Sequence, residues 1–256
     1  MKGHIIFAGV LALMLLFAGC ILEPAEETKI TVSAASSLTE AFTDIKTEFE
    51  KDNQNIKVTL NFGASGSLRQ QVEAGAPVDV FASASESHVN ILEKANLTLK
   101  DSKAIFAKNS LVLIVPKGNP LKISSVTDLK NANVTKIAIG NPETAPVGKY
   151  TKESLLKMEL WDNLEPKVVY GENVRQVLTY LETGDVDAGF VYMTDAKIAK
   201  ENTIDVITTV PTVTEIIYPV CIIDSSNNKK EAQIFVNYLK SETGKRILLN
   251  YGFTVN

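Results

Sequence analysis

Lys29-Ile30-Thr31-Val32-Ser33-Ala34-Ala35-Ser36-Ser37-Leu38-Thr39-Glu40 is the stretch that decides the fold. It opens as a short β-branched run and passes through a loop of small, hydroxyl-bearing residues. It then enters a segment in which Leu38, Phe42, Ile45 and Phe49 recur along one helical face. Strand, compact loop and amphipathic helix, in that order, form the repeating unit of an α/β protein with largely parallel strands. The same alternation predicts strands at 29–33, 57–62, 78–83, 110–116, 136–140, 167–170 and 188–192, with later strands at 204–210 and 214–222. Helices are expected over 68–74, 86–95, 149–158, 174–182 and 228–239.

The units fall into two groups, one before about residue 108 and one from about 136, with Pro116-Lys117-Gly118-Asn119-Pro120 between them. Two lobes follow. If the chain crosses near 108–112 and returns near 205–215, residues 29–109 and 211–256 form lobe 1 and residues 110–210 form lobe 2. Two crossing strands would then serve as the hinge.

The N-terminus reads as targeting rather than fold. Lys2 is followed by an uncharged run over 5–17 and then Ala18-Gly19-Cys20, the layout of a secretory signal and shorter than the roughly 18 residues a spanning helix needs. Leu16-Phe17-Ala18-Gly19-Cys20 resembles a lipobox, in which the cysteine is lipidated and becomes the new N-terminus. Phe17 departs from its usual aliphatic residue, and the competing reading is an ordinary signal cleaved elsewhere. On the lipobox reading, residues 1–19 are removed and residues 20–28, with Glu23, Pro24, Glu26 and Glu27, tether the domain to the membrane. The two cysteines are Cys20 and Cys221, so acylation of the first leaves no disulfide, and Cys221, within an apolar run, is expected in the core. With 45% hydrophobic and 22% charged residues among 256, the chain is globular rather than disordered. A formal charge of -4 without a Lys/Arg cluster argues against nucleic acid as a partner.

Ligands of open α/β sheets collect where strands end and helix N-termini present free N–H groups. Four such loops stand out: Ala34-Ala35-Ser36-Ser37, Gly63-Ala64-Ser65-Gly66-Ser67, the Pro146-Val147-Gly148 helix start, and Gly171-Glu172-Asn173-Val174-Arg175. The first two contain no lysine or arginine. Ser37-Leu38-Thr39-Glu40 and Ser67-Leu68-Arg69-Gln70 both match a capping box, so each serine is also readable as a helix cap. A hydroxyl has a proton as well as lone pairs, however, and Ser37 could cap its helix while donating to an anion. The third loop reads either as a cleft wall or as a rigid connector. Arg175 is expected to be solvated or paired, and Tyr192, ending Gly189-Phe190-Val191-Tyr192, is packing or a neutral donor. A serine hydrolase is the enzyme alternative, but in Gly63-Ala64-Ser65-Gly66-Ser67 a serine stands where the nucleophile elbow needs its last glycine. His88 has no metal-binding companions in sequence and is expected on the surface.

Ala35-Ser36-Ser37-Leu38-Thr39, Val72-Glu73-Ala74-Gly75-Ala76-Pro77-Val78-Asp79-Val80-Phe81, Gly140-Asn141-Pro142-Glu143, Gly171-Glu172-Asn173-Val174-Arg175 and Gly189-Phe190-Val191-Tyr192 occur in this order. Together they resemble the molybdate-binding lipoproteins and periplasmic proteins of ABC importers, over nearly all of the chain beyond residue 29. The resemblance implies a type II periplasmic-binding-protein fold, two Rossmann-like lobes joined by crossing hinge strands. It implies a tetrahedral oxyanion held in the interlobe cleft by hydroxyls and backbone amides, with no cofactor and no metal besides the Mo or W of the ligand.

Carried over by motif, the donors are the hydroxyls of Ser37 and Ser65, the backbone N–H groups of Ser37, Ala84, Val147 and Val174, and the phenol of Tyr192. Val147 stands where alanine is more usual, and Gly66 sits in a loop often richer in serine. Molybdate and tungstate are bare dianions that a donor-only site satisfies, whereas hydrogen phosphate needs an acceptor for its proton. Sulfate is donor-satisfied too, so it or another oxyanion is the alternative cargo. Tungstate binders that use carboxylates resemble the chain less well, and Glu143 and Asp195 are expected to be surface residues or caps. The implied partners are a membrane permease and a separate ATPase, with the protein an exported monomer anchored by Cys20 to the outer face of the cell membrane.

Overall fold

The computed structural model describes residues 27–255; the signal, Cys20 and most of the tether lie outside them. In chain order, β1 (Thr28–Ala35), α1 (Thr39–Asp52), β2 (Ile56–Gly63), α2 (Ser65–Glu73), β3 (Val80–Ala82), α3 (Glu86–Lys94) and β4 (Ala104–Asn109) come first. They are followed by β5 (Leu111–Pro116), β6 (Ile137–Gly140), α4 (Pro146–Lys157), α5 (Trp161–Leu164), β7 (Val168–Gly171), α6 (Val174–Glu182), β8 (Ala188–Tyr192), α7 (Met193–Lys197) and β9 (Ile204–Val210). The chain closes with β10 (Ile216–Ile222), α8 (Lys229–Leu239) and α9 (Glu242–Asn250).

Two five-stranded sheets result, ordered β2-β1-β3-β10-β4 and β7-β6-β8-β5-β9. The fold is α/β and two-lobed. The chain passes from the first sheet to the second at Ser110 and returns through residues 211–215. In each sheet four strands run in one direction, β2, β1, β3 and β4 in one and β7, β6, β8 and β9 in the other. Strands β10 and β5 run antiparallel to both of their neighbours. Each sheet is thus mixed, with one strand against four, because the strand that follows each lobe crossing enters its sheet from the opposite end.

Apolar periodicity explains the local structure. Ala41, Phe42, Ile45 and Phe49 form the buried face of α1, where the rings of Phe42 and Phe49 pack on Phe235 of α8 at 6.0 and 5.2 Å, edge to face. Ile137, Ala138 and Ile139 are all buried, as expected of a strand covered on both faces. Cys221 is buried in the core, and burial pushes its thiol up to about 12.

Several expectations shift. Strand β4 was not anticipated; Ala104 to Asn109 runs into β5 with only Ser110 between. Helices α2 and α4 begin three residues earlier than expected, at Ser65 and Pro146. Neither predicted capping box forms: α1 and α2 start from Leu38 and Ala64 without a side-chain cap, and Ser67 lies inside α2.

Candidate functional site

The four loops converge. Ser36, Ser37, Ser65 and Ala84 from lobe 1 face Val147, Asn173, Val174 and Tyr192 from lobe 2 across a cavity of about 200 Å³. No Lys, Arg, His, Asp or Glu among the described residues lines it. All six residues expected to hold a ligand, Ser37, Ser65, Ala84, Val147, Val174 and Tyr192, are on its walls.

Each is placed by a strand end. Ser37 sits in the short 3-10 helix Ser36–Leu38 that leaves β1, and its Oγ lies 2.8 Å from Tyr218 Oη on β10. Ser65 is the first residue of α2 and fully buried. The Ala84 N–H, expected to donate into the cavity, donates instead to Ser65 Oγ at 3.0 Å. Val147 and Val174 stand in the first turns of α4 and α6, where backbone N–H groups find no carbonyl in their own helix. Pro146 just ahead of Val147 is preorganised for a helix start.

Tyr192 is 1% exposed, and its Oη has no hydrogen-bond partner among the described residues. Burial raises its pKa well above that of an ordinary phenol, so it keeps its proton. A buried donor without an acceptor is costly, and this one belongs to the cavity wall.

Asn173 caps α6, its Oδ1 accepting from the N–H groups of Arg175 at 2.9 Å and Gln176 at 3.3 Å. It thereby holds the helix end that presents Val174. Asn173→Ala is expected to cost about 1 kcal/mol of stability in a denaturant titration.

The lobes are fastened on both sides of the cavity. On one side Gly66 N–H donates to Thr144 O at 2.8 Å. On the other, Arg175 of α6 reaches across to lobe 1, donating from Nε to Ser36 O at 3.1 Å and pairing with the Glu40 carboxylate. Its Nε also lies 3.0 Å from Asp195 Oδ1. Because Nε–H points at Ser36 O, the Asp195 contact is a charge pair without an aligned hydrogen bond. Arg175 is therefore paired, as expected, but across the lobes, which its sequence neighbourhood could not reveal.

Asp195 corrects another expectation: it is neither a surface residue nor the cap of its helix, where Tyr192 holds the cap position, but 0% exposed. Burial, outweighing the opposing pull of Arg175, raises its carboxyl to about 7. Glu143 is exposed. His88 is half-buried rather than on the surface, and burial first, then Arg69 and Lys149, lowers it to about 4. Among the described residues no group of His, Cys, Asp and Glu is arranged to hold a metal ion, and no helix is long and apolar enough to cross a membrane.

Comparison with known proteins places this geometry in a family. The chain is 40% identical to "Putative ABC transporter substrate-binding lipoprotein YvgL" of Bacillus subtilis (strain 168), over 99% of this chain and 98% of that protein. It is 36% identical to the molybdate-binding protein ModA of Escherichia coli (strain K12), over 98% and 97% respectively. The solved periplasmic molybdate-binding protein of Azotobacter vinelandii superposes with a TM-score of 0.78 at 23% identity, covering 89% of this chain and 99% of that one, a likeness of fold. Residues 30–254 match the family model for bacterial extracellular solute-binding proteins, and the chain belongs to that family.

Proposed function

We propose that this chain captures molybdate, and with it the near-isosteric tungstate, between its lobes and delivers it to an ABC importer with a separate permease and ATPase. The observation that carries the reading is the unpartnered Oη of buried Tyr192 in a cavity whose polar groups are hydroxyls, helix-start amides and the Asn173 carboxamide, whose Oδ1 already accepts from two N–H groups of its own helix. Such a wall offers protons and no charge, so it suits a ligand that only accepts. Helix N-termini at Val147 and Val174 favour negative charge without a counter-ion. The names of the Bacillus subtilis and Escherichia coli relatives support the transport role and the cargo. Binding of this kind needs no cofactor and no turnover of the ligand, and the protein acts as a monomer.

The extracellular family makes this an exported protein. Anchoring through Cys20 is part of the proposal, supported by the lipobox-like Leu16-Phe17-Ala18-Gly19-Cys20 and by the lipoprotein name of the Bacillus subtilis relative. Mass spectrometry of the membrane-extracted protein tests it, an acylated Cys20 N-terminus being the expected result.

Calorimetric titration with molybdate, tungstate, sulfate and hydrogen phosphate tests the cargo. Tight binding of the first two alone is expected; tight phosphate binding contradicts the donor-only wall. Tyr192→Phe removes one donor and is expected to weaken molybdate binding by about tenfold, about 1.4 kcal/mol, in the same titration.

A further inference from the structure

The direction of each hydrogen bond around Ser37 can be worked out from groups that have no choice. The Ser110 backbone N–H can only donate, and it donates to Asn109 Oδ1 at 2.9 Å. That fixes the Asn109 amide, whose Nδ2 then donates to Tyr218 Oη at 3.2 Å and to Thr194 Oγ1 at 2.9 Å. Tyr218 is fully buried, its phenol has one proton, and Asn109 already occupies a lone pair of its oxygen. The oxygen left to receive that proton is Ser37 Oγ, 2.8 Å away. Ser37 in turn accepts from Tyr218, so its own proton is free to point into the cavity it lines. Ser65 is set the same way by a different donor, since the Ala84 N–H fills a lone pair of its Oγ and frees its proton.

We propose that Tyr218 and Asn109 are specificity-determining positioning residues, which lock the Ser37 hydroxyl as a donor so that the cavity admits oxyanions bare of protons and excludes those that must donate one. Neither residue lines the cavity, and they act through Ser37. The inference rests on the oxyanion reading above and adds how the proton of a serine, able to donate or accept, is kept from its neighbour and stays available to the ligand. Absent that lock, Ser37 could point its proton at Tyr218 Oη and present to the ligand only lone pairs, which would then receive the proton of hydrogen phosphate.

The test is competitive calorimetry on the purified full-length protein in mildly alkaline buffer, where phosphate is mainly its monohydrogen dianion, with molybdate, sulfate and phosphate as ligands. Two variants are compared with wild type. Tyr218→Phe deletes the donor to Ser37. Asn109→Asp replaces a donor with an acceptor, so that Tyr218 turns its proton to residue 109 and Ser37 turns its own toward Tyr218. In both, the preference for molybdate over phosphate is expected to fall by about tenfold or more. The preference for molybdate over sulfate, both bare dianions, is expected to hold, which general loosening of the cleft would not leave intact. Added negative charge in Asn109→Asp acts alike on three dianions and cancels in these ratios.

Unchanged molybdate-to-phosphate ratios in variants that still bind molybdate overturn this inference and leave the oxyanion reading standing. Loss of selectivity against phosphate and sulfate together overturns it too. If wild type binds none of the three anions, both readings fall.

Discussion

Gly66→Ala is expected to weaken molybdate binding by about 100-fold, about 2.7 kcal/mol, while leaving each lobe folded. A Cβ on Gly66 would meet Thr144 O at 2.5 Å and Thr144 Cα at 2.9 Å, both backbone atoms of the opposite lobe. The same approach carries the Gly66 N–H to Thr144 O hydrogen bond. Only the joined arrangement of the lobes creates this clash, because Gly66 stands in α2 with ordinary helical neighbours. Within a helix, alanine is favoured over glycine by roughly 0.5–1 kcal/mol, so the unfolding midpoint without ligand should hold or rise. Calorimetry and thermal unfolding check the two halves of the expectation. Unchanged affinity would mean that the lobes do not need to meet here for capture. Gly148 makes the contrast: its Cβ would lie 1.9 Å from Gly140 O of its own lobe, so Gly148→Ala should damage the fold of lobe 2 directly.

Arg175→Ala is expected to destabilise the protein by about 3 kcal/mol at about pH 8 and by only about 1 kcal/mol at about pH 5. The difference comes from Asp195. Its carboxyl titrates at about 7 in the folded protein, above the roughly 3.9 of an unfolded chain. The folded state therefore holds the proton over the window between those values, and stability falls as pH climbs through it. In wild type the fall ends near 7, where Asp195 ionises beside the guanidinium. Without Arg175 the folded pKa moves higher and the fall continues. At about pH 5 Asp195 is protonated in both proteins, and the variant loses only the bonds to Ser36 O and to the part-exposed Glu40. Denaturant unfolding at the two pH values measures this; an equal loss at both would remove Asp195 from the explanation.

The strand-loop-helix units were readable because their signals are local. Leu38, Phe42, Ile45 and Phe49 mark α1 within a dozen residues, and the small-residue loops after β1 and β2 advertise close backbone approach. Convergence of Ser37, Ser65, Val147, Val174 and Tyr192 came from the family resemblance, since no periodicity brings those residues together. What escaped the sequence depends on partners far along the chain. Ser37 looked like a cap, but its hydroxyl bonds to Tyr218, 181 positions away. Arg175 meets Glu40 across 135 positions. Asp195 reads in sequence as a surface residue or a cap, since carboxylates rarely enter a core unpaired, and its pairing with Arg175 exists only in three dimensions. Gly66 was noted as a departure from a serine-rich loop; the close approach of Thr144 supplies the reason for a glycine there.

The most direct measurement is a crystal structure with molybdate bound. Its oxygens should sit within hydrogen-bonding distance of Ser37 Oγ, Ser65 Oγ, Tyr192 Oη and the backbone nitrogens of Val147 and Val174, with no charged side chain in contact. Molybdate held by a lysine, arginine or carboxylate, or bound outside this cavity, would contradict the account.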